Sequence, residues 1–436
     1  MPISSFLGLQ TSLRGLLAQQ RSLDVAAHNI ANANTVGYTR QEASLGAADP
    51  LHTGSGALQN GSGAYLGQGV DVTAYRRIRD SFLDLQVRAQ TMALNDATTA
   101  AESLDRVQSA VNEPSDTGIN SLLTKFYDAW NDLAAHPESA GSREAVNKAA
   151  ATLADAFKTL ATDIGNATTD AQNEFTALTG STGPIQAAAT SIAKLNKAID
   201  NAIDAGQSPN DLLDQRDQVL DELSQYGNVS VTPQANGRIQ VMLGNQSVVN
   251  DTIVDWPASL PSTFAAGGGQ LGALQTLTTT TLPGYLAALD QVANTLATDV
   301  NAAYGSTFFG GTTALTLGTG IPAASSIAAG TGAAGSNDIA LAVQSLRDSS
   351  AAGQQYAAFV RQVGSDADNA LNAQTVAQAA VDSAEDRRQN ISGVSLDEEM
   401  ANMLRFQRGY QASARAMSSI DDMLDTLISR AGRVGL

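Results

Sequence analysis

The first thirty residues carry apolar side chains in a narrow helical stripe. Their spacing alternates between three and four residues, and Gln20 interrupts it once. The stripe consists of Phe6, Leu9, Leu13, Leu16, Leu23, Ala27 and Ile30. This pattern predicts one α-helix, and so narrow a stripe is typical of a coiled-coil seam rather than of a helix on a broad globular core.

The last forty residues repeat the same pattern. A step of about 3.5 residues places apolar side chains on one helix face, and Gln407 and Asp421 are the polar interruptions. The stripe consists of Leu396, Met400, Met403, Tyr410, Ala414, Met417, Leu424 and Ile428. Two such helices at opposite ends of a chain predict an assembly element. We expect both stripes to bury against neighbouring subunits.

Between the two ends, helical periodicity dominates and is broken by one clear β segment. From 228 to 243 apolar residues alternate with period two around Asn236 and Gly237, which predicts a hairpin. The chain is therefore predicted to be mainly α, discontinuous and multidomain. The predicted units are a terminal coiled-coil (inner) domain of residues 1–40 and 391–436, a helical middle domain of 41–227, 270–306 and 346–390, and a small β-rich outer domain of 228–269, with 307–345 as a candidate addition to it.

Charge removes one class of partner. The chain has a formal net charge of -18, which repels a phosphate backbone and excludes nucleic acid as the expected partner. The terminal segments 1–40 and 396–436 are nearly neutral, and the acidic excess lies between them. Nearly neutral helices can pack side by side in many copies without strong repulsion.

The sequence offers little chemistry for catalysis. There is no cysteine, and His28, His52 and His136 are not at metal-ligand spacing, so neither a metal nor another cofactor is expected. One helix, around Asp211, Asp214, Asp217, Asp221 and Glu222, could supply paired carboxylates for acid and base catalysis. A solvated helix face is the favoured interpretation of this run, because Arg216 lies within it.

Two long motifs resemble a known family. Residues 29–41, NIANANTVGYTRQ, and residues 395–427, SLDEEMANMLRFQRGYQASARAMSSIDDMLDTL, resemble the N- and C-terminal signatures of the bacterial flagellar rod, hook and hook-associated proteins. Residues 113–139 and 210–224 resemble the hook-associated members that form the junction between hook and filament. The resemblance covers about two thirds of the chain and is weak from 250 to 390.

The resemblance implies a structural protein of the flagellum rather than an enzyme. Its implied partners are copies of itself, the hook protein, a second hook-filament junction protein and a flagellar export chaperone, with neither nucleic acid nor membrane among them. Family members are exported by the flagellar type III apparatus without a cleaved signal peptide. This agrees with an N-terminus that lacks a basic segment, and the implied location is the extracellular flagellum.

Three alternatives stay open at this stage. The chain could be another axial protein, such as a hook protein, a rod protein or the second junction protein. It could be a secreted wall hydrolase of the same organelle, with the acidic helix as its catalytic element. A translocator with amphipathic termini is disfavoured, because the stripes lack the basic flank and aromatic residues of interfacial helices.

Overall fold

The computed structural model describes residues 6–53 and 64–430, and most of these residues are helical. The helices are α1 (Phe6–Ala31), α2 (Ser81–Val111), α3 (Ile119–Ala135), α4 (Ala140–Thr179), α5 (Pro184–Asp204), α6 (Asn210–Leu223), α7 (Gly269–Thr276), α8 (Leu282–Tyr304), α9 (Asp338–Ser349), α10 (Ala351–Ser392) and α11 (Leu396–Arg430). A π-helical turn, Leu277–Thr281, joins α7 to α8. The prediction of a mainly α chain with helical ends is confirmed.

Short polar side chains fix where several helices begin. Asp80 accepts a hydrogen bond from the amide of Phe82 at 2.9 Å at the start of α2. Ser139 does the same for α4, and Ser395 for α11, where its hydroxyl accepts from the amide of Glu398 at 3.4 Å. Each cap satisfies an amide that the first helical turn leaves without an intrahelical partner.

The strands form small antiparallel sheets. They are β1 (Gln41–Ala47), β2 (Leu51–Thr53), β3 (Ala64–Leu66), β4 (Val70–Arg77), β5 (Val229–Pro233), β6 (Ile239–Leu243), β7 (Gln246–Asn250), β8 (Ile253–Val254), β9 (Phe309–Gly310) and β10 (Gly318–Thr319). β5 to β8 form one four-stranded meander, while β1 pairs with β4, β2 with β3 and β9 with β10. The hairpin predicted around Asn236 and Gly237 is confirmed, and both residues adopt the positive φ that its turn requires.

Two hydrophobic cores hold the central part of the chain together. The larger core lies among α2, α3, α4, α8, α9 and α10, with Phe126, Trp130 and Phe157 completely buried. The smaller core lies between α5, α6 and the four-stranded sheet. The indole of Trp256 closes this smaller core and donates a hydrogen bond to the carbonyl of Thr179 at 2.9 Å.

Residues 307–345 pack into the larger core. Phe308 lies with its ring centroid 5.2 Å from that of Trp130, and Phe309 lies 5.5 Å from Phe126. These contacts attach the segment to the helices of the larger core instead of to the sheet formed by β5 to β8. The domain limits given above stay a prediction.

The paired strands β1 and β4 lie along α1. Asn29 donates from its side-chain amide to the carbonyl of Gln41 at 2.9 Å near the end of the helix. Arg14 reaches Asp71 at 2.9 Å about four turns earlier. The two strands therefore cover one side of α1 and leave another side open.

Candidate assembly surfaces and the ionic joint behind them

α1 and α11 pack as an antiparallel pair, here called the terminal arm. Later residues of α1 lie beside earlier residues of α11. A Cβ on Gly8 would lie 3.2 Å from Ile420, and a Cβ on Gly15 would lie 3.2 Å from the hydroxyl of Ser413. The buried residues of α1 are Ala18, Ser22, Ala26 and Asn29. α1 therefore meets α11 through small and polar side chains rather than through its predicted stripe.

The predicted stripe of α1 lies on a different side of the helix from this contact. Phe6 and Leu13 are 60% and 45% exposed, and Ala27 is also exposed. Leu9, Leu16, Leu23 and Ile30 are half-buried. The single chain thus leaves the large apolar residues of α1 partly open to solvent.

The predicted stripe of α11 changes its surroundings along the helix. Leu396 and Met400 are 50% and 52% exposed, whereas the later stripe residues are half-buried beside α1. Those later residues are Met403, Tyr410, Ala414, Met417 and Leu424; the side chain of Ile428 lies outside the described residues. A repeat of 3.5 residues drifts by about 20° per heptad around a straight α-helix, which accounts for the gradual turn.

The motif that follows α1 folds onto the end of the helix. The hydroxyl of Tyr38 donates to the side-chain carbonyl of Asn29 at 2.7 Å and lies 3.0 Å from Nδ1 of His28. The amide of Gln41 donates to the same Asn29 oxygen at 3.0 Å. Burial, together with the nearby carboxylates Asp211, Asp214 and Glu399, raises the pKa of Tyr38, so its hydroxyl stays protonated and remains a donor.

The acidic helix α6 is not a solvated face, and that interpretation was wrong for its central residues. The side chains of Asp214 and Asp217 are only 7% and 15% exposed. Arg77 lies 2.8 Å from each of them, and the backbone amide of Thr39 donates to Asp214 at 3.1 Å. Asp211, with 62% of its side chain exposed, and the exposed Glu222 fit the original interpretation.

Three further arginines complete this cluster, which we call the ionic joint. Arg79 binds Asp84 at 2.6 Å and Asp217 at 3.3 Å, and both Arg88 and Arg388 bind Asp221, at 2.7 and 2.5 Å. The joint consists of Arg77, Arg79, Arg88 and Arg388 with Asp84, Asp214, Asp217 and Asp221. It joins the end of β4, α2, α6 and α10 at the place where the terminal arm meets the middle of the molecule.

The arginines of the joint favour the ionised form of Asp217. Burial opposes ionisation of Asp217, but Arg79, Arg77 and Arg88 outweigh burial and hold the pKa of this carboxyl below its ordinary value. The carboxylates of the joint are therefore bound to guanidinium groups. A general acid needs a raised pKa instead, and this arrangement supplies mechanical attachment.

Sequence reasoning missed the four arginines of the joint. Arg77 and Arg79 lie in the segment YRRIRD, 137 and 138 residues before the carboxylates that they meet. No periodic signal links such distant segments. The spacing of Asp214, Asp217 and Asp221 did carry a usable signal, because it places all three on one face of α6.

Neither a metal centre nor a membrane span is found in the described parts of the chain. Within residues 6–53 and 64–430, no group of three or more acidic or histidine side chains could hold a metal ion. None of the helices described there is long and apolar enough to cross a membrane.

Comparison with known proteins places the terminal helices and the middle of the chain in one organelle. Residues 104–256 match the family model of the flagellar hook-associated protein FlgK helical domain. Residues 9–39 match that of the flagella basal body rod protein, and residues 387–430 match that of the flagellar basal body rod FlgEFG protein C-terminal region. All three matched segments contain residues of the arm or of the cores described above.

Curated relatives agree with these family models. The chain is 28% identical to flagellar hook-associated protein 1 of Bacillus subtilis, over 98% of this chain and 99% of the relative. It is 31% identical to the protein of the same name in Escherichia coli, over 66% of this chain and 54% of the relative. A solved structure of the flagellar hook junction protein FlgK from Burkholderia pseudomallei is similar over 50% of this chain and 43% of its own, with 24% identity and a TM-score of 0.43.

The paired terminal helices and the helical core behind them are those of an axial structural protein of the bacterial flagellum. Within that class, the chain is similar to flagellar hook-associated protein 1, the name carried by its curated relatives, and the family model that matches residues 104–256 is that of a flagellar hook-associated protein.

Proposed function

We propose that copies of this chain build a layer at the junction between hook and filament, and that the open apolar sides of the terminal arm are the lateral contacts of that layer. The role is structural, as the similarity to flagellar hook-associated proteins indicates. One observation carries the proposal: α1 contributes small and polar side chains to its contact with α11, while Phe6 and Leu13 of α1 and Leu396 and Met400 of α11 stay exposed.

The exposed apolar residues form more than the two predicted stripes. Leu17 on α1 is 42% exposed, and Leu404 on α11 is 57% exposed. Leu17 adds to the exposed apolar residues Phe6 and Leu13 of α1, and Leu404 adds to Leu396 and Met400 of α11. Burying the exposed half of a leucine or methionine stabilises an interface by about 1 kcal/mol. Several such residues in each of many repeated contacts are sufficient to hold a layer together.

The proposed interface residues are the stripe positions taken from the sequence. They are Phe6, Leu9, Leu13, Leu16, Leu23, Ile30, Leu396, Met400, Met403, Tyr410, Met417, Leu424 and Ile428. The proposed partners are other copies of the chain, the hook protein, the second hook-filament junction protein and a flagellar export chaperone. The proposed location is the extracellular flagellum, reached by flagellar export without a cleaved signal peptide.

The proposal assigns no catalytic residue. The sequence pointed to α6 as the one candidate for acid and base chemistry, and its central carboxylates are held by the arginines of the ionic joint. Because these carboxylates are already bound by arginines, the wall hydrolase alternative is disfavoured. The names of the curated relatives favour a hook-associated protein over a rod or hook protein.

Leu13→Asp tests the proposed interface. A carboxylate at this position places a charge where neighbouring arms would pack without water, and burial of an unpaired charge is strongly unfavourable. The arm contact within the chain does not use Leu13, so the purified variant is expected to melt like the wild type. We expect its amount in sheared flagella, relative to the amount shed into the medium, to fall at least tenfold.

Gln10→Asp is the matched control, because Gln10 is exposed on the same helix and outside the stripe. It is expected to enter flagella normally. Normal incorporation of Leu13→Asp, at equal levels of export, would show that Leu13 faces solvent in the assembled flagellum and would remove the stripe of α1 from the interface.

A further inference from the structure

Four exposed charges of α11 form two blocks; the exposed Arg415 lies between these blocks, and the exposed Asp422 lies beside Asp421. Arg405 and Arg408 lie near the middle of the helix, and Asp421 and Asp425 lie toward its end. All four are exposed, and none takes part in an ion pair within the described residues. Arg405 and Arg408 thus lack a carboxylate partner among the described residues, although the protein has 43 acidic residues and only 25 basic ones.

Arg405 and Asp421, one from each block, lie on opposite flanks of the helix, whereas Arg408 and Asp425 are about 100° apart. Sixteen residues at about 100° each place Asp421 about 160° around α11 from Arg405. Arg405 faces the side of β1, because it borders a groove of about 420 Å³ whose lining includes Glu42, Leu45 and Arg76. Its guanidinium carbon lies 5.0 Å from the ring centroid of Phe406 in the same groove. The acidic block lies on the flank away from β1.

We propose that neighbouring copies of this chain pack their terminal arms in parallel with an axial offset of about 16 residues, so that Asp421 and Asp425 of one copy pair with Arg405 and Arg408 of the next. The offset corresponds to about 24 Å along α11. This register rests on the proposed function, since it requires that arms of different copies meet.

Head-to-tail assembly explains why the two blocks are separated both along α11 and around it. A contact that repeats from copy to copy joins one flank of a subunit to the opposite flank of the next. Without an offset, each arginine would meet the uncharged residues at its own height, such as Gln407 and Gln411. With the offset, both arginines meet carboxylates of the next copy. Glu42, which borders the same groove as Arg405, has Arg76 as its direct cross-strand neighbour.

Exposed ion pairs add little affinity, and this suits the role assigned to them. Each such pair is weak and is screened by salt, whereas the choice between registers depends on which charges meet. The apolar stripes therefore supply the attraction between arms, and the charged blocks select their relative height.

The absence of cysteine from the chain allows a direct test by cross-linking. A chain with both Arg405→Cys and Asp421→Cys is assembled into flagella and treated with a short bismaleimide. Within one chain the two thiols are about 24 Å apart along the helix and out of reach of each other. We expect a ladder of covalent multimers. Arg405→Cys combined with Ser429→Cys, about 12 Å further along, is expected to give little or none.

Each outcome of the cross-linking decides the register. A stronger ladder from the 405 and 429 pair, or no ladder from either pair, would overturn the proposal. Dimers from Arg405→Cys alone would show that two copies meet through the same flank, in a two-fold contact, and would equally overturn it.

Charge reversal provides the second measurement. Arg405→Glu with Arg408→Glu is expected to lower incorporation into flagella about tenfold relative to protein shed into the medium. Adding Asp421→Arg and Asp425→Arg to the same chain is expected to restore it, because opposite charges meet again. Arg361→Glu is the control, because Arg361 is exposed on α10 and forms no ion pair within the part of the chain that the structure describes.

The two proposals fail separately. If Leu13→Asp prevents incorporation while the charge reversals do not, the lateral interface stands and the register is wrong. If the variant with all four charges reversed assembles no better than the variant with only the two arginines reversed, the pairing between these blocks is likewise wrong.

Discussion

At the scale of single residues, the ionic joint determines how the terminal arm is attached. Asp217 lies within 4 Å of three arginines, Arg77, Arg79 and Arg88, which come from β4, α2 and the turn between them. Taking these charges out of water is costly, and their mutual attraction offsets that cost only while every partner is present. Removal of one carboxylate should therefore harm the folded state more than removal of an exposed ion pair.

Asp217→Asn is predicted to lower the free energy of unfolding by about 3 kcal/mol at neutral pH, because it removes one carboxylate from three partly buried guanidinium groups at once. Urea denaturation followed by tryptophan fluorescence measures this loss. Asp368→Asn is the control, since Asp368 is exposed on α10 and has no ion pair with any residue in 6–53 or 64–430, and it should change stability by less than about 0.5 kcal/mol.

The sign of the pH dependence follows from the depressed pKa of Asp217. A carboxyl whose pKa is lower in the folded state stabilises the protein above its ordinary pKa of 3.8, and this contribution is lost as the pH falls through the folded value. The difference between wild type and Asp217→Asn should thus be complete at pH 7 and shrink below about pH 4. A difference that stayed constant to pH 2 would show that the variant acts by some route other than lost charge.

At the scale of elements, periodicity located the helices well and described their contacts poorly. α1 ends just before Asn32, α3 just before Pro137 and α8 at Gly305, because asparagine, proline and glycine interrupt helices locally. The contact between α1 and α11 depends on Gly8, Gly15 and other small residues, which carry little hydrophobic signal. The stripes were visible in the sequence because they are large and apolar, whereas the actual contact of α1 within the chain was not.

The arm is also expected to be less stable than the cores behind it. The buried face of α1 consists of two alanines, a serine and an asparagine, whereas α4 buries Phe157 and Ile164 completely. Burial of small side chains removes little apolar area from water, and the stability gained scales with that area. Amides of α1 and α11 should exchange with solvent faster than those of α4 and α8.

Gly15→Leu is predicted to separate the two helices of the arm. A Cβ at this position would already lie 3.2 Å from the hydroxyl of Ser413, and a longer side chain forces the pair apart at a cost of about 1 to 3 kcal/mol. Hydrogen exchange should show lost protection in α1 and α11 and unchanged protection in α4 and α8.

Gly284→Leu is the matched control for this change. Gly284 also lies in a helix, α8, and nothing approaches within 4 Å of the Cβ position. Replacing glycine by leucine raises helix propensity similarly at both sites, so this effect cancels in the comparison. If Gly15→Leu left the amides of α1 and α11 as well protected from hydrogen exchange as Gly284→Leu leaves those of α8, this result would contradict the close contact at Ser413.

At the scale of the whole molecule, the distribution of charge separates two tasks. The arm unites the two ends of the chain and is nearly neutral, while the central residues carry almost all of the net charge of -18. Neutral arms can pack closely with many copies, and acidic surfaces repel unspecific contacts between the outer parts. Composition indicated this division from the sequence, but it could not show that the ionic joint lies between the two parts.

The last prediction concerns a strain that lacks this protein. If the chain forms the junction layer, the hook is completed without it, because hook subunits are added first, and filament subunits then have no matching surface on which to polymerise. The strain should carry hooks, be non-motile and release flagellin into the medium. Electron microscopy and immunoblots of the medium check this, and antibody to the protein should mark one narrow band at the hook tip of the parent strain. Filaments of normal length on the deletion strain, or label along the whole hook, would assign the chain to a different position in the flagellum.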